Sequence, residues 1–203
     1  MFVVTADQRA SRADTDRVPD LLRRYRDLPT VRGFERTAGD EVEAVFDDPA
    51  VVGSVVVDLV ASGYWSVGIG IDDVERPLPS ETRAGRGPAF EAARSAVEAA
   101  KGRRVPLQIV GPSAWCVHAQ TAACLLVDLV ASRSEAGREA VALVAAGDSQ
   151  ARAAEKLGIS PQAMSLRLRA ARWDLQSDSQ TLVTELLRRC DRYGSPRRLP
   201  SQR

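Results

Sequence analysis

The sequence is poor in the residues from which most catalytic and metal centres are built. In 203 residues it has one histidine, His118, and three cysteines, Cys116, Cys124 and Cys190. A lone histidine excludes His-rich metal sites and leaves little room for a Ser-His-Asp triad. Three cysteines with no CxxC pair exclude a disulfide framework and argue against a thiolate zinc centre. Nowhere does the chain approach the roughly 18 uninterrupted apolar residues of a membrane span, so no membrane partner is expected. The opening Met1-Phe2-Val3-Val4 has no basic segment and soon meets Asp7, which does not fit a signal peptide; a cytoplasmic protein is expected. Aromatic residues make up only 5% of the chain, and the formal net charge is only +1. A near-neutral chain argues against a nucleic-acid partner if its charges are evenly spread.

They are not evenly spread. Residues 147–203 hold eleven Lys/Arg and six Asp/Glu, a balance of +5, which leaves −4 for residues 1–146. An acidic body joined to a basic end assigns that end its own electrostatic task. Segment 195–203, rich in Pro, Ser and Arg with no apolar period, reads as a disordered basic tail. The scarcity of aromatics fits a duplex partner, because groove reading by Arg and Gln needs no stacking platforms.

What is present is a succession of apolar periods. Phe2–Ala6, Val31–Ala38, Val42–Phe46, Trp65–Ile71 and Val105–Val110 read as strands, and Val18–Leu28, Ala50–Ala61 and Ala89–Lys101 as helices. Gly68 and Gly70 let something approach the strand backbone closely. The order β-α-β-β-α-β-α-β predicts an α+β fold with a ferredoxin-like sheet in residues 1–111, its helices on one face. Beyond Gly111-Pro112 only helices are expected. Residues 112–146 read as connecting or dimerisation helices, and 147–194 as three more: Ser149–Leu157, Pro161–Trp173 and about Ser179–Tyr193.

Gln150 to Arg169 is the most specific segment. Ala154 is small where two helices cross, Gly158 supplies a turn, and Leu157, Ile159, Met164 and Leu168 supply a core. Ser160 is placed to cap the second helix and Pro161 to open it, where a missing N–H costs nothing. The segment resembles the helix-turn-helix of sigma-like and related bacterial regulators. The resemblance implies a second helix lying in the major groove of double-stranded DNA, exposing Gln162, Ser165, Arg167 and Arg169. Gln pairs with adenine and Arg with guanine in bidentate fashion, while Arg152 and Arg172 are better placed for phosphates.

In the N-terminal region Asp7 follows the first strand and Asp40 sits at the tip of the next hairpin. Neighbouring strand ends bring these carboxylates together, with Glu41 as a third candidate. Clustered acids without histidine suit Mg²⁺ or Mn²⁺. Val4-Thr5-Ala6-Asp7 and Arg36 to Asp40 resemble the two metal-binding segments of class III nucleotide cyclases. Gly39-Asp40-Glu41-Val42 is similar to the hairpin of diguanylate cyclases. That likeness implies a nucleotide ligand near Arg36, Gly39, Glu41 and the Gly87 to Arg94 segment, with Arg36 where cyclases keep a base-reading lysine. On the last helix Glu91 and Ser95 stand where cyclases carry Asn and Arg, and Arg94 is displaced by one residue, about 100° round the helix. The departure favours a sensor over an enzyme.

The whole chain resembles the SatD family of bacterial proteins. The residues that carry this are Asp7, Ser11-Arg12, the Gly39 hairpin, Gly87 to Phe90 with Arg94, and the C-terminal segment running into Arg172 to Leu175. The resemblance implies a cyclase-like domain fused to a DNA-binding one. The expectation is therefore a homodimeric transcriptional regulator whose degenerate cyclase-like domain binds a nucleotide or cyclic nucleotide. The alternative is a metal-dependent cyclase with a DNA-binding regulatory end.

Overall fold

A computed structural model describes residues 1–11 and 13–194; Arg12 and the expected basic tail lie outside the described residues. The described elements, in chain order, begin with β1 (Phe2–Gln8), α1 (Val18–Arg24), β2 (Arg32–Arg36), β3 (Glu41–Phe46) and α2 (Pro49–Ala61). They continue with β4 (Trp65–Ile71), a 3₁₀ turn (Thr82–Ala84), α3 (Pro88–Ala100) and β5 (Leu107–Val110). The rest is helical: α4 (Trp115–Ala131), α5 (Glu135–Ala145), α6 (Gln150–Lys156), α7 (Pro161–Ala170) and α8 (Trp173–Gly194). It is a mixed α+β region with one open sheet, followed by an α-helical region.

The sheet runs β2-β3-β1-β4-β5, antiparallel except for the parallel β4–β5 pair. Its central strands are buried at almost every position because both faces are covered. Phe2, Val4 and Ala6 point one way, with Val42, Ala44, Phe46, Val67, Ile69 and Ile71, into the main core under α2, α4 and α8. Val3 and Val45 point the other way, against Ala89, Phe90 and Ala93 of α3. The expected single helical face is therefore corrected: α3 lies on the face opposite α2. The two glycines of β4 are the reason. A Cβ on Gly68 would lie 2.2 Å from the Val97 nitrogen, and one on Gly70 2.0 Å from the Ala89 oxygen. The close approach read from these glycines is that of α3's own backbone.

The helices group by packing differently from the divisions expected at 111/112 and 146/147. α4 contributes Cys116, Ala119, Ala123, Leu126 and Val127 to the main core, and α8 contributes Val183, Leu187 and Cys190. A separate small core joins α5, α6 and α7 through Ala140, Val141, Ala153, Ala154, Met164, Leu168 and Ala171. Trp173, at the start of α8, packs against this second core. One continuous helix thus leaves the small core and ends in the large one. This helix begins at Trp173, six residues before the Ser179 that the spacing predicts, because α7 ends at Ala170 and Trp173 opens α8 instead of closing α7. Among the described residues no single helix is long and apolar enough to cross a membrane; α4 and α5 pass on composition together but are bent by 110°.

Candidate functional site

At the open end of β1, Asp7 stands beside Glu41 of β3 and Ser66 of β4 in the sheet register. Asp40 adjoins it, its carbonyl accepting from the Gln8 N–H at 3.2 Å. The expected convergence of the two strand ends is present. The expected Mg²⁺ or Mn²⁺ site is not: among the described residues no group of three or more His, Cys, Asp or Glu is placed to hold a metal. Asp7 is held instead by Lys101 Nζ at 3.0 Å, and Glu41 accepts from the Thr37 hydroxyl. Burial raises the Asp7 carboxyl above its ordinary range, opposed by the hydrogen bond and charge of Lys101. The ammonium stands where the cation was expected.

The candidate nucleotide residues separate into two places. Arg36 pairs with Val42, whose side chain enters the main core, so Arg36 shares the face away from α3. There its guanidinium donates to the Gly39 carbonyl at 2.7 Å and to Asp16 at 2.5 Å. Gly87, Glu91 and Arg94 lie on the α3 side, in a cleft of about 460 Å³ that also presents Arg83 and Arg86. Arg32 of β2 holds the loop that leads to Arg83, donating to the carbonyls of Pro79 and Leu78 at 2.6 and 3.0 Å. Thr82 adds a bond to the Gly33 carbonyl at 2.8 Å. Gly87 precedes α3 at φ +119°, and the Ala89 N–H is taken by the Asp73 carbonyl. Anion attraction in the cleft therefore comes from arginine side chains and not from a free helix end.

Below Arg94 lies Glu43, a fully buried carboxylate. One oxygen accepts from Thr5 at 3.0 Å, while the other has no partner among the described residues. Burial pushes its pKa up to about 7, against the hydrogen bond from Thr5 and the charge of Arg94. The sequence signal was available: an acid in the middle of Val42-Glu43-Ala44-Val45-Phe46.

In the helical region Ser149 caps α6 through the Arg152 N–H, and Ser160 caps α7 through the Ala163 N–H. Gly158 takes φ +63° between them, and the Ile159 N–H reaches the Ala154 carbonyl at 3.1 Å. Met164 and Leu168 are buried, so the opposite side of α7 is exposed: Gln162, Ser165, Leu166 and Arg169. Arg167 is turned aside toward Glu139 of α5, at 3.8 Å. Arg152 lies 3.4 Å from Asp148, which also pairs with Lys156. Arg172 is exposed and caps the end of α7 at φ +51°, a conformation ordinarily left to glycine.

No family model, curated protein or solved structure matches the chain. A functional reading therefore rests on its own residues and their placement. Of the six expected DNA contacts, Gln162, Ser165, Arg169 and Arg172 are exposed at α7 or its end, Arg152 is exposed on α6, and Arg167 is half-covered. Sequence reasoning missed Leu166, 67% exposed on α7, whose outward position follows from helical spacing between Met164 and Leu168. It also missed Arg133, between α4 and α5, which is buried and donates to the Ala171 carbonyl at 2.9 Å and to Gln176 at 2.7 Å. No pattern in the chain marks that residue.

Proposed function

We propose that the protein is a cytoplasmic, DNA-binding transcriptional regulator that reads the major groove of double-stranded DNA with α7. The observation that carries this reading is the outer face of α7. A short helix, capped by Ser160 and seated on its own small core, presents Gln162, Ser165, Leu166 and Arg169 side by side. Gln and Arg match base edges, and an exposed leucine matches a thymine methyl. Arg152 and Arg172 flank that face at the positions that suit phosphates.

The sheet region acts as the sensor. Its arginine-lined cleft at Gly87, Glu91 and Arg94 suits the phosphates of a nucleotide or cyclic nucleotide, bound without a metal ion. A metal-dependent cyclase has no ligand set among the described residues and is not proposed. A homodimer matches the two-fold symmetry of most operators. Val117 and Leu125, each 68% exposed on α4, give it an apolar surface.

Genomic DNA captured by the purified protein tests the reading, followed by anisotropy titrations on the recovered duplex at several salt concentrations. Affinity should fall steeply with salt, and Arg169→Ala should weaken binding by roughly 5- to 150-fold on the recovered site. Binding that is insensitive to both salt and Arg169→Ala sinks the assignment of α7.

A further inference from the structure

The arginine cleft is poorly placed to speak to α7, because α3 lies across the sheet from α8. A second cavity is better placed. It measures about 660 Å³ and lies between α1, α2, the end of α4 and the first half of α8. That is within the roughly 300–1,000 Å³ of small-molecule sites. Its middle is apolar, with Leu28, Val51, Val55 and Val130 in the wall. One end is closed by Tyr25 and Arg24, both bonded to Asp58. The other end is α8, which presents Gln176 and Gln180 one helical turn apart.

Those glutamines are the unusual part. Gln176 uses its carbonyl oxygen to accept from Arg133, and among the described residues its amide nitrogen donates to nothing. The Gln180 Nε2 is buried against Gly53 and has no acceptor among the described residues. A buried amide donor left unpaired costs stability that a ligand oxygen would restore. Rotation of the Gln180 side chain carries this nitrogen into the cavity it already lines.

The geometry points to a ligand site here for a neutral, mainly apolar small molecule that offers a carbonyl oxygen to Gln180 and Gln176. Charge decides against an acid. Arg24 is already matched by Asp58, so a ligand carboxylate would enter a largely apolar cavity with no cation of its own. The site also touches the DNA-reading unit. Gln176 holds Arg133, and Arg133 holds the carbonyl that ends α7. A carbonyl that accepts from the Gln176 amide nitrogen fixes that side chain while its oxygen holds Arg133, so occupancy steadies the chain of bonds to α7. This last step rests on the DNA-binding reading; the site itself does not.

Isothermal calorimetry of the full chain with octanamide tests the site without DNA. Saturable binding is expected, weakened roughly fivefold by Gln180→Leu and abolished by Val51→Trp, which fills the cavity. Gln180→Leu should melt no lower than the parent, since it removes the orphaned amide, and so remains informative if Val51→Trp fails to fold. Absence of saturable octanamide binding, or binding unchanged by Gln180→Leu, overturns the proposal. Octanoate binding as tightly as octanamide overturns the neutral-ligand assignment. A failure in calorimetry alongside intact DNA binding separates this proposal from the reading of α7.

Discussion

Glu43 and Arg172 each violate a local rule. Glu43 is a carboxylate in a fully buried strand position with one oxygen unpartnered. With its folded pKa near 7 against an ordinary 4.5, the charged form is disfavoured by folding. Its contribution is therefore intact below pH 4.5, declines from 4.5 to 7 and is gone above about 7, a change of up to about 3 kcal/mol. Glu43→Gln should flatten that decline and raise the urea midpoint at about pH 8 while changing little at about pH 5. Equal shifts at both pH values would show that Glu43 is not held by burial. Arg172 is the second case, a non-glycine residue at φ +51° after α7. Glycine would relieve about 1 kcal/mol of backbone strain. Arg172→Gly should raise the urea midpoint yet lower DNA affinity, reducing the salt slope by about one unit. Stability and binding moving in the same direction would remove the reason for keeping an arginine there.

At the scale of elements, much was legible because apolar periodicity is a local signal. β4 at Trp65–Ile71, α2 and the α6–α7 pair all lie within a residue or a few of where their spacing puts them. The residues that close the α6–α7 turn, Ser160, Pro161 and Gly158, act on backbone within a few residues of themselves and so could be read one by one. What depends on partners distant in sequence was not legible. The side of the sheet taken by α3 is fixed by which face of β4 has glycine, and the convergence of Asp7 with Lys101 depends on where α3 ends. Gln120 is another example: its amide accepts from the Ile109 N–H at 2.6 Å and donates to the Leu107 carbonyl at 2.8 Å, covering the edge of β5. Arg133 is the strongest case, since its two acceptors lie on the α7 terminus and on α8. Arg133→Met removes two charge-assisted bonds and leaves the Ala171 carbonyl to find another donor. A loss of about 2 kcal/mol is expected in urea unfolding, with Arg133→Lys failing to restore it because the guanidinium reaches the two acceptors from two separate nitrogens, whereas lysine carries its donors on a single atom. Full rescue by lysine would reduce Arg133 to a space-filling role.

Two of the three apolar clusters, the main core and the small helical one, are joined by one helix. The larger gathers both ends of the chain's apolar pattern, from Phe2 to Cys190. The smaller has seven buried residues, of which four are alanine, so its largest contribution comes from Met164 and Leu168. A core of that size has little reserve, and truncation of a buried methionine typically costs about 2–5 kcal/mol. Met164→Ala should therefore open α5–α7 without unfolding the sheet, a sub-global transition of the kind native-state exchange detects. Amide hydrogens of α6 and α7 should then exchange near the rate of an open chain, while those of β1, β3 and β4 keep their protection. The first half of α8 decides how far the opening spreads. Trp173 packs on the small core, whereas Val183, Leu187 and Cys190 are anchored in the large one, so protection should return between Gln176 and Val183. That boundary coincides with the glutamines that line the junction cavity. If Met164→Ala instead lowered protection uniformly through sheet and helices, the two cores would be one cooperative unit, and α7 could not be repositioned independently of the sheet.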